Sequence, residues 1–165
     1  MEDAIYQKLM DYALRLLGRR SYTVHDISKK LLTRATKLKN DEPEATIEAV
    51  IQRLIELKYL DDLRFCKYWV EERSRLRPRG RFLLTQELRR KGIPKELLEE
   101  FWEKGFESSF DEVPLALQLI EKRLPRLKKS KNEWETKQKL YGFLASRGFS
   151  VGAIKEALDK ALKPY

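Results

Sequence analysis

The apolar residues Leu84, Leu88, Ile93, Leu98, Phe101 and Trp102 recur fifty-six positions later as Leu140, Leu144, Phe149, Ile154, Ala157 and Leu158, and Gly92 between them recurs as Gly148. A pattern held over that distance marks a tandem repeat of one supersecondary unit. Such a unit leaves an apolar face that its neighbour must cover. The spacing within the unit is helical, so the expected fold is all-α: three three-helix repeats spanning 1–61, 62–110 and 111–165, stacked into an elongated array. The first copy is the most divergent. It aligns through Val50, Leu54 and Tyr59, but Lys58 falls where the other copies have glycine. If that position is left-handed, lysine there costs on the order of 1 kcal/mol more than glycine.

Apolar stripes of period 3.6 run through most of the chain. Tyr6, Leu9, Ala13, Leu16 and Leu17 end at Gly18, and Ile47, Val50, Ile51, Leu54 and Leu57 end at Lys58. Phe65, Tyr68, Trp69 and Leu76 make a third stripe, and Leu97, Leu98, Phe101 and Trp102 a later one. Gly92 and Gly105 are expected helix stops, because glycine adopts the left-handed C-terminal conformation without a Cβ penalty. Thr23 with Asp26 fits an N-terminal capping box, and Pro43 and Pro94 stand where helices begin. Nine short helices are expected, and no segment alternates as a strand does.

The 165 residues, 42% of them hydrophobic, suffice for a packed core. No apolar run approaches twenty residues and no signal-type or lipidation motif is present, which points to a cytoplasmic protein without membrane attachment. One cysteine, Cys66, and one histidine, His25, exclude an intramolecular disulfide and make a zinc site improbable; no cofactor is expected.

Charge is the second constraint. Thirty-five Lys and Arg against twenty-six Asp and Glu give a net charge of +9, the electrostatic footprint of a nucleic-acid binder. The cations are clustered: Lys29, Lys30, Arg34, Lys37 and Lys39 in one stretch, and Lys122, Arg123, Arg126, Lys128, Lys129 and Lys131 in another. Acids gather apart from them, at Asp41, Glu42, Glu44 and Glu48 and from Glu96 through Glu107 to Glu112, so one basic and one acidic surface are expected. Between these stretches, Arg73, Arg75, Arg77, Arg79 and Arg81 occupy every second position. Side chains two apart share a face only in extended backbone, and Pro78 and Gly80 favour a loop, so Arg77, Arg79 and Arg81 form a candidate phosphate grip. A merely solvated loop is the alternative.

Catalysis finds little support. Asp61 and Asp62 precede an apolar helix, where carboxylates cap orphan amides more often than they bind metal. His25 has no placed nucleophile to serve, and no Gly-x-x-x-x-Gly-Lys-Ser/Thr loop is present. Cys66 reads as a small buried hydrophobe. Trp69 and Trp102 fall within apolar stripes and read as core, whereas Trp134, between Lys131 and Lys137, is a candidate for the edge of the basic face.

Two strings carry a family resemblance: Leu57-Lys58-Tyr59-Leu60-Asp61-Asp62-Leu63-Arg64-Phe65-Cys66, and Pro78-Arg79-Gly80-Arg81 leading to Glu87-Leu88-Arg89-Arg90-Lys91-Gly92-Ile93. Together with Leu16-Leu17 through Arg20-Ser21-Tyr22 to Leu31, they resemble the RecX family of regulatory proteins over nearly the whole chain. Lys58 and Cys66 depart from the family pattern, where glycine and alanine are usual. The resemblance implies a non-enzymatic modulator of the RecA recombinase in DNA repair and the SOS response. Such a protein lies in the groove of the RecA–DNA filament, lowers ATP hydrolysis and strand exchange, and touches single- or double-stranded DNA directly. On that reading Arg73, Arg75, Arg77, Arg79, Arg81, Arg89, Arg90 and Lys91 are the first contact residues. Lys29, Lys30, Arg34, Lys122, Arg123, Arg126, Lys128, Lys129 and Lys131 complete the basic face, and a monomer is expected. A helical transcription regulator and a protein adaptor without DNA binding are the competing readings; cations spread over three repeats argue against base readout from one helix.

Overall fold

The computed structural model describes residues 2–106, 110–127 and 132–162. Among them the regular structure is entirely helical: α1 (Glu2–Leu17), α2 (Val24–Lys37), α3 (Pro43–Glu56), α4 (Asp62–Leu76), α5 (Arg81–Arg90), α6 (Lys95–Glu100), α7 (Glu112–Leu127), α8 (Glu133–Ser146) and α9 (Val151–Ala161). The chain forms two compact units. One comprises residues 1–66 and 89–97, the other residues 67–88 and 98–165.

In the first unit α1, α2 and α3 pack pairwise around Leu9, Ala13, Ile27, Leu31, Val50 and Leu54, all fully buried. In the second, α7, α8 and α9 do the same around Ala116, Ile120, Leu140, Leu144 and Ala157. All twelve apolar positions of the fifty-six-residue repeat are buried, so the recurring sequence pattern is a recurring core. The α4 stripe is different from its expectation. Phe65, Cys66 and Val70 face inward, while Tyr68 and Leu76 are exposed and Trp69 is half-buried. Tyr68 and Leu76 keep the i, i+4, i+8 spacing of a helical face, but on the solvent side.

Local signals act much as the sequence indicates. Thr23 accepts a hydrogen bond from the Asp26 amide at 3.1 Å, and Pro43 opens α3. Asn132 and Ser150 cap α8 and α9 in the same way as Thr23 caps α2. Gly92 and Gly148 are left-handed, with φ of 81° and 82°, and Lys58 is left-handed too, at 62°. Gly105 does not stop its helix. After Glu100 the backbone widens into a π-helical turn, Phe101–Phe106, that runs through it. Phe101 and Trp102 stand in that turn, both buried, their rings edge-on with centroids 5.0 Å apart.

One joint is built twice, once in each unit. At the start of α2, the Thr23 hydroxyl donates to the Lys91 carbonyl at the end of α5 (2.8 Å), and the Val24 amide donates to Asp62 at the start of α4 (2.9 Å). At the start of α5, the Gly80 amide donates to the Arg147 carbonyl at the end of α8 (2.9 Å), and the Arg81 amide donates to Glu112 at the start of α7 (2.8 Å). The middle helices α2 and α5 therefore each have an orphan N-terminal amide satisfied by an acid on the next trio, and their approach set by the C-terminal glycine of the next middle helix. A Cβ on Gly92 would overlap the His25 side chain, and one on Gly148 would overlap Leu83. Glycine is needed there for space as well as for backbone angle. The first trio has lysine at the matching place: Lys39, two residues past α2 as Gly92 and Gly148 are past α5 and α8, is left-handed at φ 54° with an exposed side chain, whereas Lys58, expected at that place, instead follows α3.

Candidate functional site

The five alternating arginines do not share one extended face. Arg73 and Arg75 lie in the last turn of α4, the loop runs from Arg77 to Gly80, and Arg81 is the first residue of α5. Helical spacing sends Arg73 inward, where its guanidinium stacks on Trp69 at 4.4 Å and its Nε lies 3.3 Å from Glu87. Arg79, from the loop, pairs with the other oxygen of the same carboxylate, and the Trp69 indole N–H donates to Glu87 at 2.9 Å. Glu87 is thus a nearly buried carboxylate that accepts from one indole and pairs with two guanidiniums. Arg81 turns toward Trp102, 5.0 Å from its ring. Arg75 and Arg77 remain exposed.

What gathers cations is the loop's contact with α8. The Gly80 amide bond to Arg147 is possible because a Cβ on Gly80 would overlap the backbone of Gly148 and Phe149. That contact draws Arg77 and Arg79 beside Arg147, and Lys122 of α7 joins them along an open groove of about 630 Å³. Its walls are Leu76, Pro78, Leu83, Leu119 and Ser146; no acid lines it. Burial, then the charges of Arg73, Arg147 and Arg77, push the Arg79 guanidinium below its ordinary value despite Glu87. Like charges held this close favour an anion between them.

Arg147 escapes a search for charge runs because it stands alone. The repeat holds the signal, since Arg147-Gly148 is Lys91-Gly92 displaced by fifty-six residues. The remaining expected contacts are dispersed. In α2, Lys29 is exposed, Lys30 packs over Tyr22 (5.7 Å) and Arg34 over Tyr12 (5.7 Å). Arg89 and Arg90 are exposed at the end of α5, next to a half-buried Lys91. Arg123 lies 4.2 Å over Phe143, and Arg126 is exposed. Lys128, Lys129 and Lys131 fall outside the described residues, as does Glu107. Trp134 is exposed on α8.

The alternative chemistries find no geometry. Asp61 accepts from the Arg64 amide at 3.0 Å as the cap of α4, and Asp62 is committed to Val24 of α2. Burial pushes the Asp62 carboxyl above its ordinary value, with Asp61 and Asp26 adding to the rise and the Val24 N–H opposing it. Cys66 is fully buried and its thiol is pushed up to about 12, chiefly by burial. Among the described residues no cluster of His, Cys, Asp and Glu is arranged to hold a metal, and no helix is long and apolar enough to cross a membrane.

Trios of helices joined in tandem, one pair of them carrying a cation-lined groove, define the class of all-α helical-repeat proteins. Comparison with known proteins narrows the class. Residues 61–100 match the second three-helix domain of RecX and residues 111–158 the third. The chain is 34% identical over 163 residues to the regulatory protein RecX of Chlorobium phaeobacteroides, covering 99% of both chains. It is 32% identical over 162 residues to that of Prosthecochloris aestuarii, covering 98% of this chain and 99% of the other. The crystal structure of RecX from Lactobacillus salivarius superimposes with a TM-score of 0.83 at 21% identity, covering 96% and 97% of the two chains. The chain belongs to the RecX family of regulatory proteins.

Proposed function

We propose that this protein is a non-catalytic modulator of the RecA recombinase, acting in the cytoplasm as a monomer built of three repeats at 1–61, 62–110 and 111–165. It binds the RecA–DNA filament in its groove, lowers ATP hydrolysis and strand exchange, and meets DNA through its basic residues. The observation that carries this reading is the convergence of Arg77, Arg79, Lys122 and Arg147 on one acid-free groove in a chain of the RecX family. Guanidinium and ammonium groups so placed complement a phosphate backbone. Any effect on ATP hydrolysis is exerted through the recombinase, since this chain has no phosphate-cradling loop.

Titration against naked DNA, RecA alone and preformed RecA filament tests the reading. A modulator prefers the filament and slows its ATP hydrolysis. A preference for one duplex sequence would instead indicate a transcription regulator, and indifference to DNA in every form a protein adaptor.

A further inference from the structure

The groove has features that a general basic face does not need. Its cations come from three elements: Arg77 and Arg79 from the loop after α4, Lys122 from α7, and Arg147 from the end of α8. Two of them are held in place. Arg79 is paired with Glu87, which is itself anchored by the Trp69 indole, and Arg147 lies 5.2 Å over the Phe143 ring. Arg77 and Lys122 are exposed and adjustable. A fixed pair flanked by two solvent-exposed side chains lowers the ordering cost of binding an anion without demanding one exact spacing. The walls are apolar: Leu76, Leu83 and Leu119 face the same space.

We infer that this groove is a seat for single-stranded nucleic acid, taking one or two nucleotides whose phosphates meet Arg77, Arg79, Lys122 and Arg147 while a sugar or base face rests on Leu76, Leu83 and Leu119. The inference rests on the proposed contact with DNA and names where and in what form that contact is made. A volume of about 630 Å³ suits a small ligand, not a duplex, whose base faces are stacked away from any leucine wall. An unpaired strand supplies both halves of the match, one charge per residue along its backbone and an apolar face beside each charge. An acidic peptide supplies only the charge.

The test is fluorescence anisotropy without recombinase. A labelled oligothymidine is compared with a hairpin duplex of equal phosphate number, and polyglutamate is added as competitor. The variant Arg77→Ala/Lys122→Ala/Arg147→Ala is set against Lys8→Ala/Lys139→Ala/Lys155→Ala, which removes the same charge from exposed positions elsewhere. The expected result is preference for the single strand, with the groove variant weakened about tenfold or more and its salt slope reduced by about 2, near 0.7 per lost phosphate contact. Circular dichroism checks the fold, and Lys122→Glu alone, on an exposed position of α7, serves if the triple variant is unstable. Equal weakening by both triple variants, tighter binding of the hairpin, or displacement of the strand by polyglutamate at matched charge overturns the seat. Wild-type protein that ignores oligothymidine yet still prefers the RecA filament overturns the seat alone. Oligothymidine binding lost in the groove variant, without any effect on RecA, supports the seat and sinks the proposed function.

Discussion

At the scale of single residues, burial decides chemistry. Cys66 sits on the inward face of α4, and a thiol pushed up to about 12 is almost wholly protonated at neutral pH. Native protein should therefore leave Ellman's reagent unreduced over hours and release one equivalent of thionitrobenzoate only in denaturant. Rapid native labelling would contradict the burial. Asp62 makes a sharper case. Its folded-state carboxyl lies above the ordinary value of 3.8, so the folded state holds its proton more tightly than the unfolded state does. The favourable contribution of that proton is present below the ordinary value and is lost as pH rises through the folded one. Asp62→Asn keeps an acceptor for the Val24 amide and has nothing to ionise. Its melting temperature relative to wild type should rise between pH 3.5 and pH 7; a fall over that range would mean that the carboxylate is favoured by the fold.

Among elements, the repeated joint is the controlling feature. Gly148 combines a left-handed backbone with direct contact on Leu83, so Gly148→Ala should cost more than the roughly 1–2 kcal/mol of the backbone angle alone. Lys58 has the angle without the contact. Lys58→Gly should accordingly stabilise the chain by about 1 kcal/mol in urea denaturation, and the opposite signs of the two variants form a single test. The repeated spacing made Gly92 and Gly148 legible as helix stops, but not their second role, because the neighbours that crowd them lie sixty-five or more residues away in the chain (His25 to Gly92, Leu83 to Gly148). The alternating arginines illustrate the converse. Their spacing suggests one extended face, yet α4 reaches Leu76 and takes two of them into its last turn. Pro78 acts one residue too late to prevent it, since proline restricts only the residue before it and its own backbone.

For the molecule as a whole, the number of phosphates its cations neutralise sets how DNA binding responds to salt. With about six phosphates neutralised, affinity for DNA should fall by roughly three decades between 50 and 200 mM salt; a flat response would exclude direct phosphate contact. The variants that probe this need choosing by partner. Arg77→Glu, at an exposed loop position, should weaken DNA binding and leave the melting temperature within about 1 °C of wild type. Arg79→Glu puts a carboxylate against Glu87 and should also lower stability by about 2 kcal/mol, measured by denaturation. Equal melting temperatures for the two variants would show that the Arg79–Glu87 pair carries no weight.

Helix identity, the repeating core and the left-handed stops at Gly92 and Gly148 were determined by sequence alone, because they depend on residues three to five apart whose geometry the backbone imposes; the left-handed Lys39 and the continuation through Gly105 were not. Which charges act together was decided only in three dimensions. Arg73 and Arg79 are drawn to Glu87, Arg81 to Trp102, and Arg77 with Arg79 to Lys122 and Arg147 from helices more than forty residues further on. Coulomb interactions depend on separation in space, and no spacing along the chain records it.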